Sequence, residues 1–184
     1  SHDGHIVRTA CDTVCRAFLD QGVTPVVKHL PGHGRAEVDP HDHLPYITSD
    51  RATLIEDDFA VFRQLFAQAY SHALWGMMAH AIYTAIDAAR PASLSPVLIR
   101  NYVRDQMGFD GFLVSDDISM GALADYGDIT ERAAGCIDAG CDSALYCSGQ
   151  IEEMYELAKR LPQLSPESWQ RWQRGETWRQ TQTA

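Results

Sequence analysis

The sequence predicts an α/β fold built on a parallel sheet with crossover helices. Three observations predict it. Short apolar or β-branched runs alternate with helical segments four times along the chain. The runs lack a period of their own, as strands covered on both faces do. Polar, chemistry-bearing residues collect just after the runs, where the strands of such sheets end and their sites form.

The elements follow in order. Over residues 3–20, Val7, Cys11, Val14, Cys15, Phe18 and Leu19 fall on one helical stripe, and Gly22 ends the pattern. GVTPVVKH then reads as a strand over 23–28, followed by a long loop from Leu30 to Thr48. Residues 50–69 form a second helix with Leu54, Phe59, Phe62, Leu65 and Phe66 facing inward. ALWGMMAH (73–80) is the second strand. Ser95-Pro96 starts the next helix, with Ser as cap and Pro in the first turn, and the helix stops at Gly108. GFLVSD (111–116) is the third strand, 129–139 a helix, CDSALYC (141–147) the fourth strand and 151–160 a helix. Beyond Leu161 the chain is polar, and Trp169, Trp172 and Trp178 place one face of a terminal helix on the body. The expected organisation is therefore a body over 1–161 and a helical tail over 162–184.

Composition excludes several classes. The 184 residues are 45% hydrophobic and 22% charged, values of a folded domain rather than a disordered chain. Lys and Arg number 15 against 25 Asp and Glu, a net charge of −10 that repels nucleic acid and anionic lipid. No apolar run approaches the roughly 18–20 residues of a membrane span, and the first residues do not read as a signal peptide, so a cytoplasmic location is expected. Five cysteines without a CxxC pair read as free thiols in a reducing compartment.

Two segments carry chemistry. The loop KHLPGHGRAEVDPHDHLP holds His29, His33, His41 and His43 beside Asp39 and Asp42. It lacks HExxH spacing, and Lys28 would repel a cation, so no metal is expected. Asp39-Pro40-His41 instead sets a carboxylate two residues from an imidazole across a residue of fixed φ. A carboxylate on one ring nitrogen orients the ring and stabilises its protonated form, leaving the other nitrogen for acid and base work. A surface loop whose His and Asp only cap turns would carry the same spacing. In GFLVSDDISMGAL, two carboxylates follow an apolar strand directly. Neighbours on an extended chain point opposite ways, so one of Asp116 and Asp117 faces a site while the other braces the loop. Helix capping by an Asp is the competing reading.

These blocks together, KHLPGHG with DPH downstream, MMAHAIYTAID, PASLSP, GFDGFLVSDDISMGAL and AGCDSALYC, resemble glycoside hydrolase family 3, and within it the bacterial β-N-acetylhexosaminidase branch, over roughly residues 1–150. The resemblance implies a (β/α)8 TIM barrel, of which this chain would be the C-terminal half. It implies a retaining β-N-acetylglucosaminidase of peptidoglycan recycling, acting through a covalent glycosyl-enzyme intermediate without cofactor. It maps the nucleophile onto Asp116, the acid/base dyad onto His41 and Asp39, and sugar-hydroxyl contacts onto Lys28 and His29. It maps a His at the site floor onto His80 and a loop-holding His onto His33. This chain departs from the family pattern at Pro40, where Ser is usual. Half a barrel leaves two open sheet edges, so the chain alone is expected to be inactive or to self-associate unless a missing N-terminal half-barrel completes it. Phosphorolysis of the same glycosides and a non-catalytic sugar-binding fragment are the alternatives.

Overall fold

The computed structural model describes residues 3–182. Its centre is a four-stranded parallel sheet in the order β1 (Val26–Leu30), β3 (Trp75–Met78), β5 (Phe112–Asp117), β6 (Ser143–Leu145). Each neighbour in this order is also the next major strand in sequence, joined by a helical crossover, the connectivity of the TIM-barrel type. A second parallel pair, β2 (Tyr46–Ile47) with β4 (Ile82–Tyr83), lies outside the four predicted strands. Two residues each are too short to carry a period that a sequence could reveal.

The helices form where caps and apolar spacing place them. α1 (Gly4–Leu19) begins at Asp3, whose carboxylate accepts the N–H groups of His5 and Ile6. It buries Cys15 and Leu19, but Val14 and Phe18 of the predicted stripe are exposed at 51% and 47%. The predicted 50–69 helix forms in three pieces: α2 (Arg51–Thr53), a π-helical turn (Leu54–Asp58) and α3 (Phe59–Phe66). Asp50 caps it through Thr53, and Leu54, Phe59, Leu65 and Phe66 are buried as the spacing requires. The helix after Ser95-Pro96, Val97–Gln106, is π-helical; Ser95 Oγ accepts the Leu98 N–H. α4 (Ile129–Ala139) starts with an Asp128/Glu131 capping box, and α5 (Ile151–Arg160) follows β6.

The core lies between sheet and helices, with Leu30, Leu54, Leu74, Met78, Leu98, Ile99, Leu113 and Ile118 fully enclosed. Gly76 in the middle of β3 is required by this packing. A Cβ there would lie 2.7 Å from Leu30 Cδ1 and 2.8 Å from Phe109 Cε1.

α6 (Pro166–Gln182) lies within the stretch expected as a tail and begins four residues after its expected start; that stretch's last two residues, and the first two of the chain, lie outside the described residues. Trp178 packs edge-on against His72, and Arg174 bonds Asp110. Ser168 Oγ and Arg171 both donate to Asp142 Oδ1, at 2.7 and 2.8 Å. His72, Asp110 and Asp142 precede β3, β5 and β6, so α6 crosses the amino ends of three strands and leaves their carboxyl ends open.

Among the described residues, neither the outer edge of β1 nor that of β6 pairs with a further strand. All five cysteines are free thiols. No helix among the described residues is long and apolar enough to cross a membrane.

Candidate active site

The carboxyl ends of β1, β3 and β5 assemble the predicted residues. At the end of β1 the register against β3 shifts between Lys28 and Leu30, and the Lys28–His29 and Leu30–Pro31 peptide bonds are cis. Successive strand residues ordinarily face opposite ways. Here Lys28 and His29 both line one open cavity of about 1020 Å³, with His33, Arg35 and Asp58. From it His29 Nε2 reaches Asp116 Oδ2 at 3.5 Å, the distance of an ion pair rather than a close hydrogen bond.

Asp116 and Asp117 diverge, as an extended strand demands. Asp116 is 15% exposed through its side chain, and its Oδ1 accepts the Asp117 N–H at 2.9 Å. The Asp117 carboxylate turns the other way. It accepts the Ser119 N–H at 3.1 Å, the Ser119 hydroxyl at 2.6 Å and the Cys147 N–H at 3.1 Å. Asp117 therefore braces the turn after β5 and ties it to the segment after β6. These bonds hold its carboxyl below the usual range, against a larger opposing effect of burial alone.

His80 is fully buried after β3. Its Nε2 lies 3.1 Å from the Asp117 carbonyl and its Nδ1 2.7 Å from Ser93 Oγ. A carbonyl can only accept, so the ring proton sits on Nε2 and Nδ1 accepts from the Ser93 hydroxyl. Burial pushes its pKa down, consistent with this neutral tautomer. His80 thus touches the backbone next to Asp116 rather than open space.

The loop after β1 presents the dyad. The Asp39 carboxylate lies 2.7 Å from His41 Nδ1 and also accepts the His41 N–H at 2.9 Å. Both side chains are exposed, at 65% and 75%. The hydrogen bond to Asp39 raises the His41 pKa, with Asp39's charge and, more weakly, that of Asp116 adding to it. Asp39 is correspondingly lowered, first by the His41 backbone N–H and then by its ring. The carbonyls of His41 and Pro40 accept the Gly121 and Ala122 N–H groups at 3.0 and 3.2 Å. The dyad is thus joined to the segment that follows Asp116.

Burial is the main cause lowering the pKa of both His29 and His33. Their rings pack at 5.4 Å, and His33 Nδ1 is buried with no hydrogen-bond partner. His43 and Asp42 lie on the exposed part of the loop. Among the described residues no group of three or more His, Cys, Asp or Glu side chains is arranged to hold a metal ion.

Residues 1–171 match the glycosyl hydrolase family 3 N-terminal domain. The chain belongs to glycosyl hydrolase family 3. This family 3 chain is 39% identical to a β-hexosaminidase of Nitrosospira multiformis over 88% of its own length and 46% of that protein's. It is 38% identical to a β-hexosaminidase of Alkalilimnicola ehrlichii over 81% of its length and 41% of that protein's. Among solved structures it superposes on a family 3 β-N-acetylglucosaminidase of Paenibacillus with a TM-score of 0.83 and 28% identity, covering 98% of this chain and 35% of that one. With NagZ of Neisseria gonorrhoeae, solved with N-trifluoroacetyl-D-glucosamine, the TM-score is 0.71 and the identity 30%, covering 87% and 46%. The chain therefore spans less than half of each of these relatives.

Several residues that shape the site were not singled out by sequence reasoning. Ser93, Ser119 and Gly121 act through hydrogen bonds or close approach across the fold. PASLSP and SDDISMGAL hold them, so the motifs marked their neighbourhoods but not their tasks.

Proposed function

We propose that this chain supplies the nucleophile and the acid/base of a retaining β-N-acetylglucosaminidase, as the C-terminal half of its barrel. The observation that carries this reading is the Asp39–His41 pair, 2.7 Å apart on a loop hydrogen-bonded to the segment just after Asp116. It joins a carboxylate at a strand end to an imidazole whose protonated form is favoured, the two groups that double displacement needs.

In the first half-reaction an Asp116 oxygen attacks the anomeric carbon. The bond to the leaving oxygen breaks as His41 Nε2 gives that oxygen its proton. Asp39 keeps Nδ1 engaged and fixes the ring. In the second, neutral His41 takes a proton from water, the water oxygen attacks the anomeric carbon, and Asp116 leaves as carboxylate. Lys28 and His29 line one cavity, from which His29 reaches Asp116, and would take sugar hydroxyls. His80 orients the end of β5 through the Asp117 carbonyl rather than meeting the sugar.

The substrate class is a terminal N-acetylglucosaminide, by analogy with relatives named β-hexosaminidase or β-N-acetylglucosaminidase; a cell-wall origin of that sugar, in cytoplasmic peptidoglycan recycling, is what the sequence resemblance alone implies. The open edges of β1 and β6, with apolar Val14, Phe18 and Val26 exposed, support completion by a further half-barrel or by self-association. α6, tied to Asp142 at the foot of the sheet, packs on the same half-barrel.

Asp116→Ala in the complete catalytic domain tests the assignment. Turnover of an aryl N-acetylglucosaminide is expected to vanish; a retained rate refutes the nucleophile.

A further inference from the structure

We propose that Gly121 and Ala122 form a dock for the acid/base loop, and that Gly121 is a positioning residue for His41. The proposal rests on the His41 reading above and deepens it.

The loop is fixed at both ends. At its start the Tyr83 hydroxyl donates to the Gly32 carbonyl at 2.7 Å, and Arg35 binds Asp58 at 2.7 Å and Asp57 at 2.9 Å. At its end Tyr46–Ile47 pairs with Ile82–Tyr83. Between these anchors the segment carrying Asp39, Pro40 and His41 lies mostly at the surface. The backbone bonds that cross from it to the rest of the fold are Gly121 N–H to His41 O, 3.0 Å, and Ala122 N–H to Pro40 O, 3.2 Å. They grip the acid/base residue and the one before it.

The dock requires a residue without a side chain. A Cβ at position 121 would lie 2.7 Å from the His41 carbonyl oxygen and 2.9 Å from that of Asp42. Both are backbone atoms, which cannot swing aside as a flexible side chain can. Gly121 is not among the glycines with positive φ. An alanine therefore suits the local turn Gly121–Leu123, and the added methyl acts on the loop.

The position of the dock links the two chemical groups. Asp117 and Ser119 brace the turn that leads from Asp116 to Gly121. Nucleophile and acid/base thus sit on one hydrogen-bonded backbone unit. The fixed φ of Pro40 further narrows the loop's freedom. The docked loop is the working position, and undocking withdraws the proton donor while leaving Asp116 in place.

The test uses the complete catalytic domain with Gly121→Ala, Pro40→Gly and His41→Ala. It measures kcat/KM on two aryl N-acetylglucosaminides, one with a dinitrophenolate leaving group that needs no proton and one with a phenolate that does. Gly121→Ala is expected to lower kcat/KM for the phenyl substrate about 5- to 150-fold, the ratio carried by two backbone hydrogen bonds. The dinitrophenyl substrate should change little. Pro40→Gly, at a half-buried loop position whose carbonyl is one of the docked pair, should give a loss of the same kind of about two- to fivefold. Equal losses on both substrates, or none on either, overturn the proposal. His41→Ala separates the two claims. If it fails to discriminate the substrates, the acid/base assignment falls. The dock is then judged by amide hydrogen exchange, in which the Gly121 and Ala122 amides are expected to be protected in the wild type and Ala122 exposed in Gly121→Ala. Unprotected wild-type amides would sink the dock itself.

Discussion

Asp142→Ala should be among the most damaging single substitutions in this chain. The Asp142 side chain is 1% exposed, and its carboxylate accepts from four groups. Oδ2 takes the Leu113 N–H at 2.7 Å and Arg104 at 2.8 Å. Oδ1 takes the Ser168 hydroxyl at 2.7 Å and Arg171 at 2.8 Å. One carboxylate thereby joins β5, β6, α6 and the Val97–Gln106 helix. Its removal leaves the Arg104 guanidinium, 13% exposed, without its counter-ion, and orphans a main-chain N–H inside the sheet. Breaking a buried pair from one side costs about 3–5 kcal/mol. For a chain of this length that corresponds to a fall in Tm of roughly 6–20 °C. Asp110→Ala is the control. Asp110 binds Arg171 and Arg174 but is 59% exposed, so its loss should cost about 1 kcal/mol or less. Urea unfolding followed by circular dichroism measures both. If Asp142→Ala is no more costly than Asp110→Ala, the proposed clasp at the foot of the sheet is wrong.

Three further outcomes follow from the site and the core. Asp39→Asn keeps an acceptor for His41 but removes the charge that raises the imidazole's pKa, so the basic limb of the kcat/KM profile in the complete domain should move to lower pH; an unmoved limb would contradict the dyad. The same pair fixes a sign for stability. The raised His41 pKa contributes below the unfolded value and is lost as pH rises through the folded one. The lowered Asp39 pKa contributes above its unfolded value and is lost as pH falls through the folded one, so the contribution is confined between the two. Gly76→Ala should destabilise by about 1–3 kcal/mol through overpacking, because its methyl would press on Leu30 and Phe109 in the enclosed core; an unchanged unfolding midpoint would show that the core yields there.

Much of the fold was legible because its signals are local. Val26–Leu30, Trp75–Met78 and Phe112–Asp117 fall inside or within two residues of the predicted runs, and Ser95 marks a helix start by its own chemistry, whereas the caps Asp50 and Asp128 are seen only in the structure. Apolar spacing did not tell which side of α1 would be covered. Cys15 and Leu19 meet the body, while Val14 and Phe18, on the same predicted stripe, do not. The two short strands escaped because pairing over two residues is decided by the partner and not by the segment. At the site, the divergence of Asp116 and Asp117 could be read from strand alternation. The burial of His80 could not, since it depends on Ser93 and on a carbonyl from another strand. The need for Gly121 was equally hidden, because the atoms it must admit come from a loop some eighty residues earlier.

The central claim is a covalent bond between the Asp116 carboxylate and the anomeric carbon. Incubating the complete catalytic domain with a 2-fluoro glycoside bearing a good leaving group, then mapping the added mass by peptide mass spectrometry, tests it most directly. One glycosyl adduct is expected on the peptide containing Asp116, absent in Asp116→Ala. A label on another carboxylate, or turnover without any trapped species, would contradict it.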